Sequence, residues 1–561
     1  MSGDARADRL AARLALLVGI VTILVAQFPH VQAWRANRKQ YFPEKFYTGA
    51  VTTGAEDTMT YWGWMEQARK GHFFFQDLYT PEESPRNYIN VFFWALGSIT
   101  RLTGRSVGLI YALARPLAGA VVLYMLWRLL GLAFEKPWQR FACFVLAVFP
   151  GGWEGLACYL ERNHGFAHVT SPGWWIPEMN TFFSLMVFPH FLAGFAIMIG
   201  IALLMIRAWS EPSRWVRHAV WTGVLLTVLT FVHPYDTVTM LGVLWSAPGV
   251  LALVERRLPR HEINVTLVAS AVWVPSLVYN WLVFRSNPAM KAWDLQNLMY
   301  TPDWDRLAIA LGISGLLAAA AWFGIERMNR TQLVMAAWFA STLLLIQLPL
   351  RFQRRMLGGV QFPIAVLAVF TLSTWVVPAV ARQLRIVPAR PSASGKRVLV
   401  AVLLLAPLQF LTPYYLMDIE KANIRRIGYP SWIARTDVNA LHYIRDNTPE
   451  DARVMASYET GNLVPVFASR RCVLGHYGLT IDADAKSVEV RRFFDPEASD
   501  DAWRRHLMER YESEWLLWTG REREVGAWDP STANWLTEVH REGRGDNRAI
   551  LYRVTTSEAN R

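Results

Sequence analysis

The chain has 561 residues, of which 53% are hydrophobic, 13% aromatic and 18% charged, and its formal net charge is +12. Soluble domains carry about a quarter charged residues, so this composition excludes an ordinary cytosolic enzyme and a disordered protein. The basic excess is typical of membrane proteins, and no basic domain stands apart from the apolar segments, which argues against nucleic acid as a partner. Three cysteines without CxxC spacing exclude a disulfide framework, a zinc ribbon and an iron–sulfur site.

Apolar runs close to the length that crosses a bilayer recur along the chain. We predict about eleven membrane-spanning helices, at residues 12–28, 107–130, 139–158, 181–206, 217–233, 237–254, 263–284, 306–324, 331–350, 358–380 and 398–417. Arginine and lysine are frequent at the N-terminus and in the loops after the second, fourth, sixth and tenth spans. With eleven spans, all of these segments lie on the same side of the membrane. The positive-inside rule then places the N-terminus in the cytoplasm and the C-terminus outside.

This topology predicts a multi-pass protein of the plasma (inner) membrane with two domains. Residues 1–417 form a transmembrane domain, whose first outer loop is 29–106, and residues 418–561 form an extracytoplasmic domain. In the latter, helix signals before Val438–Arg445 and Ala502–Tyr511 alternate with strand-like runs, which indicates a small α/β domain. The predicted strand-like runs are Arg453–Ala456, Cys472–Leu474, Trp515–Thr519 and Ile550–Val554. Pro388–Gly395 has the composition of a short cytoplasmic linker.

The first outer loop contains the acidic pair Glu56 and Asp57 directly before an amphipathic segment, Thr58–Lys70. Tyr61 lies on the apolar face of that segment, which we interpret as a helix on the membrane surface, and it is a candidate substrate-binding residue. A second interfacial helix is predicted over Tyr88–Leu102. Acidic residues in a first helical turn often only complement the helix dipole or cap the helix, so that reading of the pair stays open.

The cytoplasmic N-terminus, the acidic pair before two interfacial helices, the eleven spans and the outer α/β domain together resemble the GT-C superfamily of polyprenyl-phosphate-dependent glycosyltransferases. Glu459–Pro465 and Val473–His476 resemble the outer domains of its bacterial members. The superfamily carries a catalytic carboxylate in the first outer loop, so the resemblance implies a catalytic role for Asp57 or Glu56. The pair is Glu-Asp here, whereas Asp-Glu or Asp-Asp is commoner in the superfamily.

Other ionisable residues are predicted near the outer face. Glu178 precedes the fourth span and His190 lies deeper in it, whereas His233 and Asp236 flank a proline turn between the fifth and sixth spans. Ionisable groups at membrane depth indicate functional sites, so we take Glu178 as a candidate catalytic residue and the other three as candidate substrate-binding residues. An acid near a helix start, an interhelical hydrogen bond and a polar hairpin turn are the respective alternatives.

Three arginines between the ninth and tenth spans oppose the positive-inside rule. Arg351, Arg354 and Arg355 stand at i, i+3 and i+4, which is one face of an α-helical turn, and guanidinium groups bind phosphate oxygens in pairs. A lipid phosphate would compensate their charge, and the resemblance implies the same contact with the carrier phosphate. The alternatives are an acidic partner within the outer domain or a topology miscounted by one span.

The resulting prediction is an integral membrane glycosyltransferase, of the hexosyl- or pentosyltransferase class, in the cell envelope. It would move a sugar from a polyprenyl phosphate to a lipid, glycan or protein acceptor at the outer face of the membrane, in an inverting transfer with Asp57 as base. No cofactor is assigned, and a divalent metal ion on Glu56, Asp57, Glu178 and His190 stays open. The alternative function is a transporter or flippase of a lipid-linked or small polar solute, with His190, His233 and Asp236 along its path.

Overall fold

The computed structural model describes residues 3–50, 54–165, 171–385 and 391–555. Residues 166–170 and 386–390 lie outside these ranges, and with them the first three residues of the predicted linker Pro388–Gly395. The rest of that linker is wrong as a prediction, because a helix begins at Pro391. The chain divides into two compact units. The first unit comprises Met1–Pro29, Leu113–Val278 and Met299–Lys421, and the second comprises His30–Ala112, Tyr279–Leu298 and Ala422–Arg561.

The described residues are mostly helical. The helices of the first half are α1 (Gly3–Arg38), α2 (Ala55–Arg69), α3 (Val91–Thr103), α4 (Val107–Ala133), α5 (Pro137–Val148), α6 (Glu154–His164), α7 (Thr181–Met186), α8 (Pro189–Ser210), α9 (Trp215–Thr230), α10 (Pro234–Glu255) and α11 (Arg260–Ser286). Those of the second half are α12 (Pro288–Gln296), α13 (Trp304–Ala320), α14 (Arg330–Leu345), α15 (Gln361–Thr371), α16 (Val377–Gln383), α17 (Pro391–Arg425), α18 (Arg435–Asn447), α19 (Tyr458–Leu463), α20 (Ala483–Phe494), α21 (Asp501–Arg510) and α22 (Gly520–Val525).

Eight helical segments among the described residues are long and apolar enough to cross a membrane, so the chain is a multi-pass membrane protein, as predicted. Each of the eight coincides with a predicted span; they are Ala5–Arg38, Val107–Ala133, Pro189–Ser210, Pro234–Glu255, Arg260–Ser286, Trp304–Arg327, Gln361–Gln383 and Gly395–Arg425. The other three predicted spans coincide with α5, α9 and α14, which have 12, 16 and 16 residues. The total of eleven spans therefore stays a prediction.

Close backbone packing explains why α5 ends early. The chain leaves the helix at Phe149 and continues through Pro150, Gly151 and Gly152. A Cβ atom on Gly152 would lie 2.2 Å from the carbonyl oxygen of Ile309, and the next backbone N–H, of Trp153, donates to that same oxygen over 2.8 Å. A glycine is needed at this contact, and the hydrogen bond satisfies backbone groups that the helix break leaves open.

The second unit contains the C-terminal α/β region that the sequence predicts. Its strands are β1 (Lys45–Tyr47), β2 (Trp432–Ala434), β3 (Arg453–Met455), β4 (Arg471–Cys472), β5 (Trp515–Trp518), β6 (Leu536–Glu542) and β7 (Ala549–Val554). A five-stranded sheet has the order β4-β3-β5-β7-β6, in which β3 pairs in parallel with β4 and β5, and β7 pairs antiparallel with β5 and β6. Met455, Leu516 and Ile550 of this sheet pack with Phe493 and Leu507 in one buried core.

Antiparallel pairing of β1 with β2 joins the loop after α1 to the C-terminal segment, with Lys45 opposite Ala434 and Tyr47 opposite Trp432. We predicted a boundary at residue 417 between the part of the chain inside the membrane and the part outside it. The two units are defined by contacts within the chain and not by a membrane, so this boundary stays a prediction.

Helices α2 and α3 pack closely along the middle and the C-terminal half of α2. A Cβ atom on Gly97 would lie 2.4 Å from the carbonyl oxygen of Met65 and 2.5 Å from the Cβ of Ala68. Tyr61 stacks on Phe93, with ring centroids 4.5 Å apart and planes 11° apart. The side chain of Tyr61 therefore ties α2 to α3 through an offset aromatic contact.

Candidate functional site

The acidic pair of the first loop lies in the first turn of α2. The helix begins after Gly54, whose φ of 65° is a left-handed conformation that glycine adopts without steric cost. The N-cap residue is Gly54, which has no side chain to cap the helix. The partial positive charge at a helix start favours acidic residues there, so the dipole alternative for the pair stays open.

Asp57 contacts a histidine 419 residues further along the chain. His476 Nε2 lies 3.2 Å from Asp57 Oδ1, and the backbone N–H of Gly478 donates to His476 Nδ1 over 3.1 Å. Because Nδ1 accepts that hydrogen bond, the neutral ring carries its proton on Nε2 and donates it to Asp57. The side chain of His476 is 13% exposed and that of Asp57 is 35% exposed, so the histidine is held in the fold while the carboxylate reaches solvent.

A compact turn at Gly475–Thr480 positions His476. The Thr480 hydroxyl accepts from Gly475 N–H over 3.1 Å and donates to the carbonyl oxygen of Tyr79 over 2.7 Å. From α12, the Gln296 amide donates to the carbonyl oxygens of Tyr477 and Thr480 over 3.0 and 2.8 Å. The imidazole is thus fixed from both flanks of the turn.

The pKa of His476 is raised above its usual value. Burial lowers this pKa, but the hydrogen bond and the charge of Asp57, with the charges of Glu56 and Asp77, together outweigh burial. Asp77 is itself buried, and burial raises its pKa to about 7 against the opposing hydrogen bond from the backbone N–H of Tyr79. Several titratable groups with displaced pKa values in one place are a mark of functional sites.

Glu56 faces two tyrosines of the C-terminal segment. Burial raises the pKa of Tyr458, and the charge of Glu56 and its hydrogen bond with the tyrosine hydroxyl raise it further. Burial and then the charge of Glu56 likewise raise the pKa of Tyr429. Glu56 therefore points toward the C-terminal segment, whereas Asp57 is the member of the pair that His476 contacts.

In the first unit, Glu178 forms a buried ion pair with Arg355. The side chains of Glu178 and Arg355 are 3% and 10% exposed, and the carbonyl oxygen of Glu178 also accepts from Gly359 N–H over 3.2 Å. These contacts tie the short turn Pro177–Met179 to the 3₁₀ segment Gln353–Leu357. Arg355 thus has an acidic partner, but this partner is Glu178 and not a residue of the outer domain.

The other two arginines lie apart from this pair. Arg354 places its guanidinium 4.8 Å from the ring centroid of Trp175, and Arg351 is exposed. Arg354 and Arg355 lie in the 3₁₀ segment Gln353–Leu357, and Arg351 precedes that segment, so the three do not belong to one α-helical turn. The three arginines therefore do not share the single helical face that the α-helical spacing predicts.

His190, His233 and Asp236 come together beside this pair in the first unit. The rings of His190 and His233 lie 5.7 Å apart, and His233 Nδ1 is 3.0 Å from Asp236 Oδ2. The guanidinium of Arg355 lies 5.7 Å from the ring of Phe191, which in turn packs on His233 at 5.0 Å. Close approach is possible because Gly194 and Gly358 flank Asp236, where a Cβ would lie 2.7 and 2.4 Å from its carboxylate oxygens.

The predicted site residues thus fall into two groups. Glu56, Asp57 and Tyr61 belong to the second unit, and the rest belong to the first: Glu178, His190, His233, Asp236, Arg351, Arg354 and Arg355. Across the described ranges, no group of three or more His, Cys, Asp or Glu side chains is placed to hold a metal ion. The sequence did not identify His476 as the partner of Asp57; the only signal was a histidine flanked by Gly475 and Gly478.

Two solved structures are similar to this one. The oligosaccharyltransferase of Archaeoglobus fulgidus, solved with a tethered acceptor peptide containing the NVT sequon, matches with a TM-score of 0.52 and 12% identity, over 91% of this chain and 69% of that chain. ArnT from Cupriavidus metallidurans, in the apo state, matches with a TM-score of 0.50 and 11% identity, over 96% of this chain and 97% of that one.

Both similar proteins are GT-C glycosyltransferases, so this chain has the GT-C fold that its sequence resembles. No protein-family model and no curated protein matches the sequence.

Proposed function

We propose that this chain is an integral membrane glycosyltransferase that moves a sugar from a polyprenyl-phosphate donor to an acceptor at the outer face of the membrane. The observation that carries the proposal is the Asp57 carboxylate, held by His476 at the start of α2 in a chain with the GT-C fold. The two similar structures are those of glycosyltransferases, and the proposal assigns the same kind of reaction, transfer of a sugar, to this chain.

In the proposed step, the acceptor hydroxyl oxygen attacks the anomeric carbon and gives its proton to Asp57. The bond from the anomeric carbon to the phosphate oxygen breaks, and polyprenyl phosphate leaves with that electron pair. A single displacement of this kind inverts the anomeric configuration. His476 has a positioning role, because its Nε2–H bonds one carboxylate oxygen of Asp57 and so holds the base in place.

Arg351 and Arg354 are proposed to contact the donor phosphate as its charge grows, since guanidinium groups bind phosphate oxygens strongly. Arg355 is proposed to act indirectly. Its ion pair with Glu178 holds in place the 3₁₀ segment that contains Arg354. We therefore propose a positioning role for Glu178 in place of direct catalysis. Substrate contacts of Tyr61, His190, His233 and Asp236 stay predictions.

The test is release of free polyprenyl phosphate from a panel of polyprenyl-phosphate sugars by the purified full chain, with and without a chelator. Asp57→Asn should lower the rate at least about a hundredfold, because a general base contributes about 10²–10⁴-fold. The matched control is Glu66→Gln, on the same helix, whose carboxylate is paired with Arg69 instead. Equal release by Asp57→Asn and wild type would remove Asp57 as the base, and a retained anomer would remove the single displacement.

No release from any donor by folded protein that binds the lipid would favour the transporter or flippase hypothesis. The chelator arm decides whether a divalent ion takes part, which stays open.

A further inference from the structure

A groove of about 510 Å³ lies between α4, α8 and α9 in the first unit. Its volume is within the range of about 300–1,000 Å³ that is found for small-molecule sites. On α4 and α8 the lining residues follow helical spacing, so one face of each helix lines the groove. Among them are Met125 and Arg128 on α4 and Gly200, Leu204 and Arg207 on α8, and Leu225 lines the groove from α9.

The end of the groove near the middle of the helices is apolar. A Cβ atom on Gly200 would lie 3.1 Å from Leu225 Cδ1 and 3.6 Å from Met125 Cε, so α4 and α9 both approach α8 closely at this level. From Gly200 the lining runs along α8 through Leu204 to Glu211, which corresponds to about 16 Å of helix. An acyl chain can lie along a strip of this kind, because it makes dispersion contacts with the apolar side chains.

The other end of the groove contains two arginines. Arg128 lies in the second-last turn of α4 and Arg207 in the last turn of α8, and both are exposed. Arg128 donates to the Tyr124 hydroxyl over 3.1 Å, so its guanidinium group turns back along the groove, away from the end of α4. Among the described residues, no aspartate or glutamate oxygen lies within 4.0 Å of either guanidinium group. Both groups are therefore accessible to a ligand in the groove.

The charge at this end of the groove favours an anion. Glu211 also lines the groove, but its carboxylate lies 3.2 Å from His218 Nε2 and so has a partner of its own. Arg128 stands inside the end of a helix that is long and apolar enough to cross a membrane, where an arginine is costly unless an anion pairs with it. A phosphate group meets this requirement, since guanidinium groups bind phosphate oxygens through charge-assisted hydrogen bonds.

The groove thus combines an apolar strip with a basic end, as a lipid with a charged headgroup requires. The positive-inside rule assigns this end of α4 and α8 to the cytoplasmic side, and basic pockets between membrane-spanning helices on that side bind the headgroups of anionic lipids. We propose that the groove binds one anionic phospholipid of the facing leaflet, with its phosphate on Arg128 and Arg207 and one acyl chain along Leu204 toward Gly200. This inference does not depend on Asp57 or on sugar transfer.

The experiment counts and maps lipids on the purified full chain in a neutral detergent. Native mass spectrometry measures the Kd of phosphatidylglycerol, of phosphatidylcholine with the same acyl chains, and of a polyprenyl phosphate. Phosphatidylglycerol with a diazirine in one acyl chain is then cross-linked to the protein by light, and the labelled residues are identified by peptide mass spectrometry. Neither readout requires enzymatic activity, so the result is independent of the proposed function.

Two kinds of variant alter the groove. Arg128→Gln and Arg207→Gln each remove one positive charge and keep a polar side chain, and Leu204→Trp narrows the apolar strip. The matched control is Arg260→Gln, at an exposed arginine that begins α11, is predicted to lie on the same side of the membrane and does not line the groove. We expect phosphatidylglycerol to bind about fivefold more weakly to Arg128→Gln and to Arg207→Gln, and equally to Arg260→Gln and wild type.

In the wild-type chain, phosphatidylglycerol should bind at least about tenfold more tightly than phosphatidylcholine, because both arginines act on its net charge. The diazirine should label α8 and α9 near Leu204 and Leu225, and Leu204→Trp should reduce this labelling. Equal binding of the two phospholipids, an unchanged Kd in both arginine variants, labelling only outside the groove, or tighter binding of the polyprenyl phosphate would each overturn the proposal.

Discussion

His476 offers the most direct test of how Asp57 is positioned. His476→Ala removes the Nε2–H donor 3.2 Å from Asp57 Oδ1, and His476→Gln replaces the imidazole with an amide that does not titrate. A hydrogen bond to a charged group contributes about 1.5–3 kcal/mol when it is buried, and Asp57 is about a third exposed, so we discount it to about 1 kcal/mol. That energy corresponds to about a fivefold loss of kcat/KM in His476→Ala, with partial recovery in His476→Gln.

The pH profile separates positioning from a merely structural role. Protonated His476 stabilises the charged form of Asp57 and makes it a weaker base, so the wild-type rate should rise as pH increases through the raised pKa of His476. Both variants should lose this rise near neutral pH. The assay is polyprenyl-phosphate release between pH 5 and about 9, at saturating and limiting donor.

Stability gives a second readout with a defined sign. Because the folded-state pKa of His476 is raised above 6.5, its contribution to folding stability is full below pH 6.5 and is lost as pH rises through the folded value. The Tm difference between wild type and His476→Gln should therefore be largest at low pH. A His476→Ala enzyme with the rate and pH profile of wild type would refute the positioning role.

Three further predictions concern other parts of the two units. Arg354→Ala should weaken binding of the polyprenyl-phosphate donor as well as turnover, measured as Kd and kcat, and unchanged affinity would remove the phosphate contact. Glu178→Gln or Arg355→Met alone should lower the free energy of unfolding by about 3–5 kcal/mol, because each leaves a buried charge unpaired, and the double variant should lose less than the sum. The folded-state pKa of Asp77 is raised to about 7, so the wild-type protein should lose stability as pH rises from about 4 to about 7. Asp77→Asn keeps an acceptor for Tyr79 N–H and should not show this loss. A parallel pH dependence of Tm in both proteins would contradict this prediction.

Helical spacing, short apolar runs and an N-cap residue in the sequence correctly predicted several helices and strands. The amphipathic spacing after Asp57 placed α2 within a few residues, and the apolar runs at Trp515 and Ile550 became β5 and β7. Ser499-Asp500 also predicted a helix start, where the Asp500 carboxylate accepts from Trp503 N–H over 2.8 Å. The strand β6 was missed because it is largely exposed and rich in charged residues, so it lacks an apolar run.

Contacts between distant segments could not be predicted. The spacing of Arg351, Arg354 and Arg355 indicated one α-helical turn, but the chain adopts a 3₁₀ turn at Gln353–Leu357, where Arg355 forms an ion pair with Glu178. His476 pairs with Asp57 only because the turn at Gly475–Thr480 is held by Tyr79 and Gln296. Neither the Arg355–Glu178 pair nor the Asp57–His476 pair produces a periodic pattern in the sequence, so pattern analysis could not predict them.

The long sequence separation of Asp57 and His476 affects the protein while it is being made. The ribosome completes α2 early, whereas His476 emerges only with the segment that begins at Ala422. A nascent or truncated chain that stops before this segment has the carboxylate without its histidine. The pair therefore forms only after synthesis has passed His476, so shorter chains already inserted in the membrane would lack the proposed positioning of Asp57.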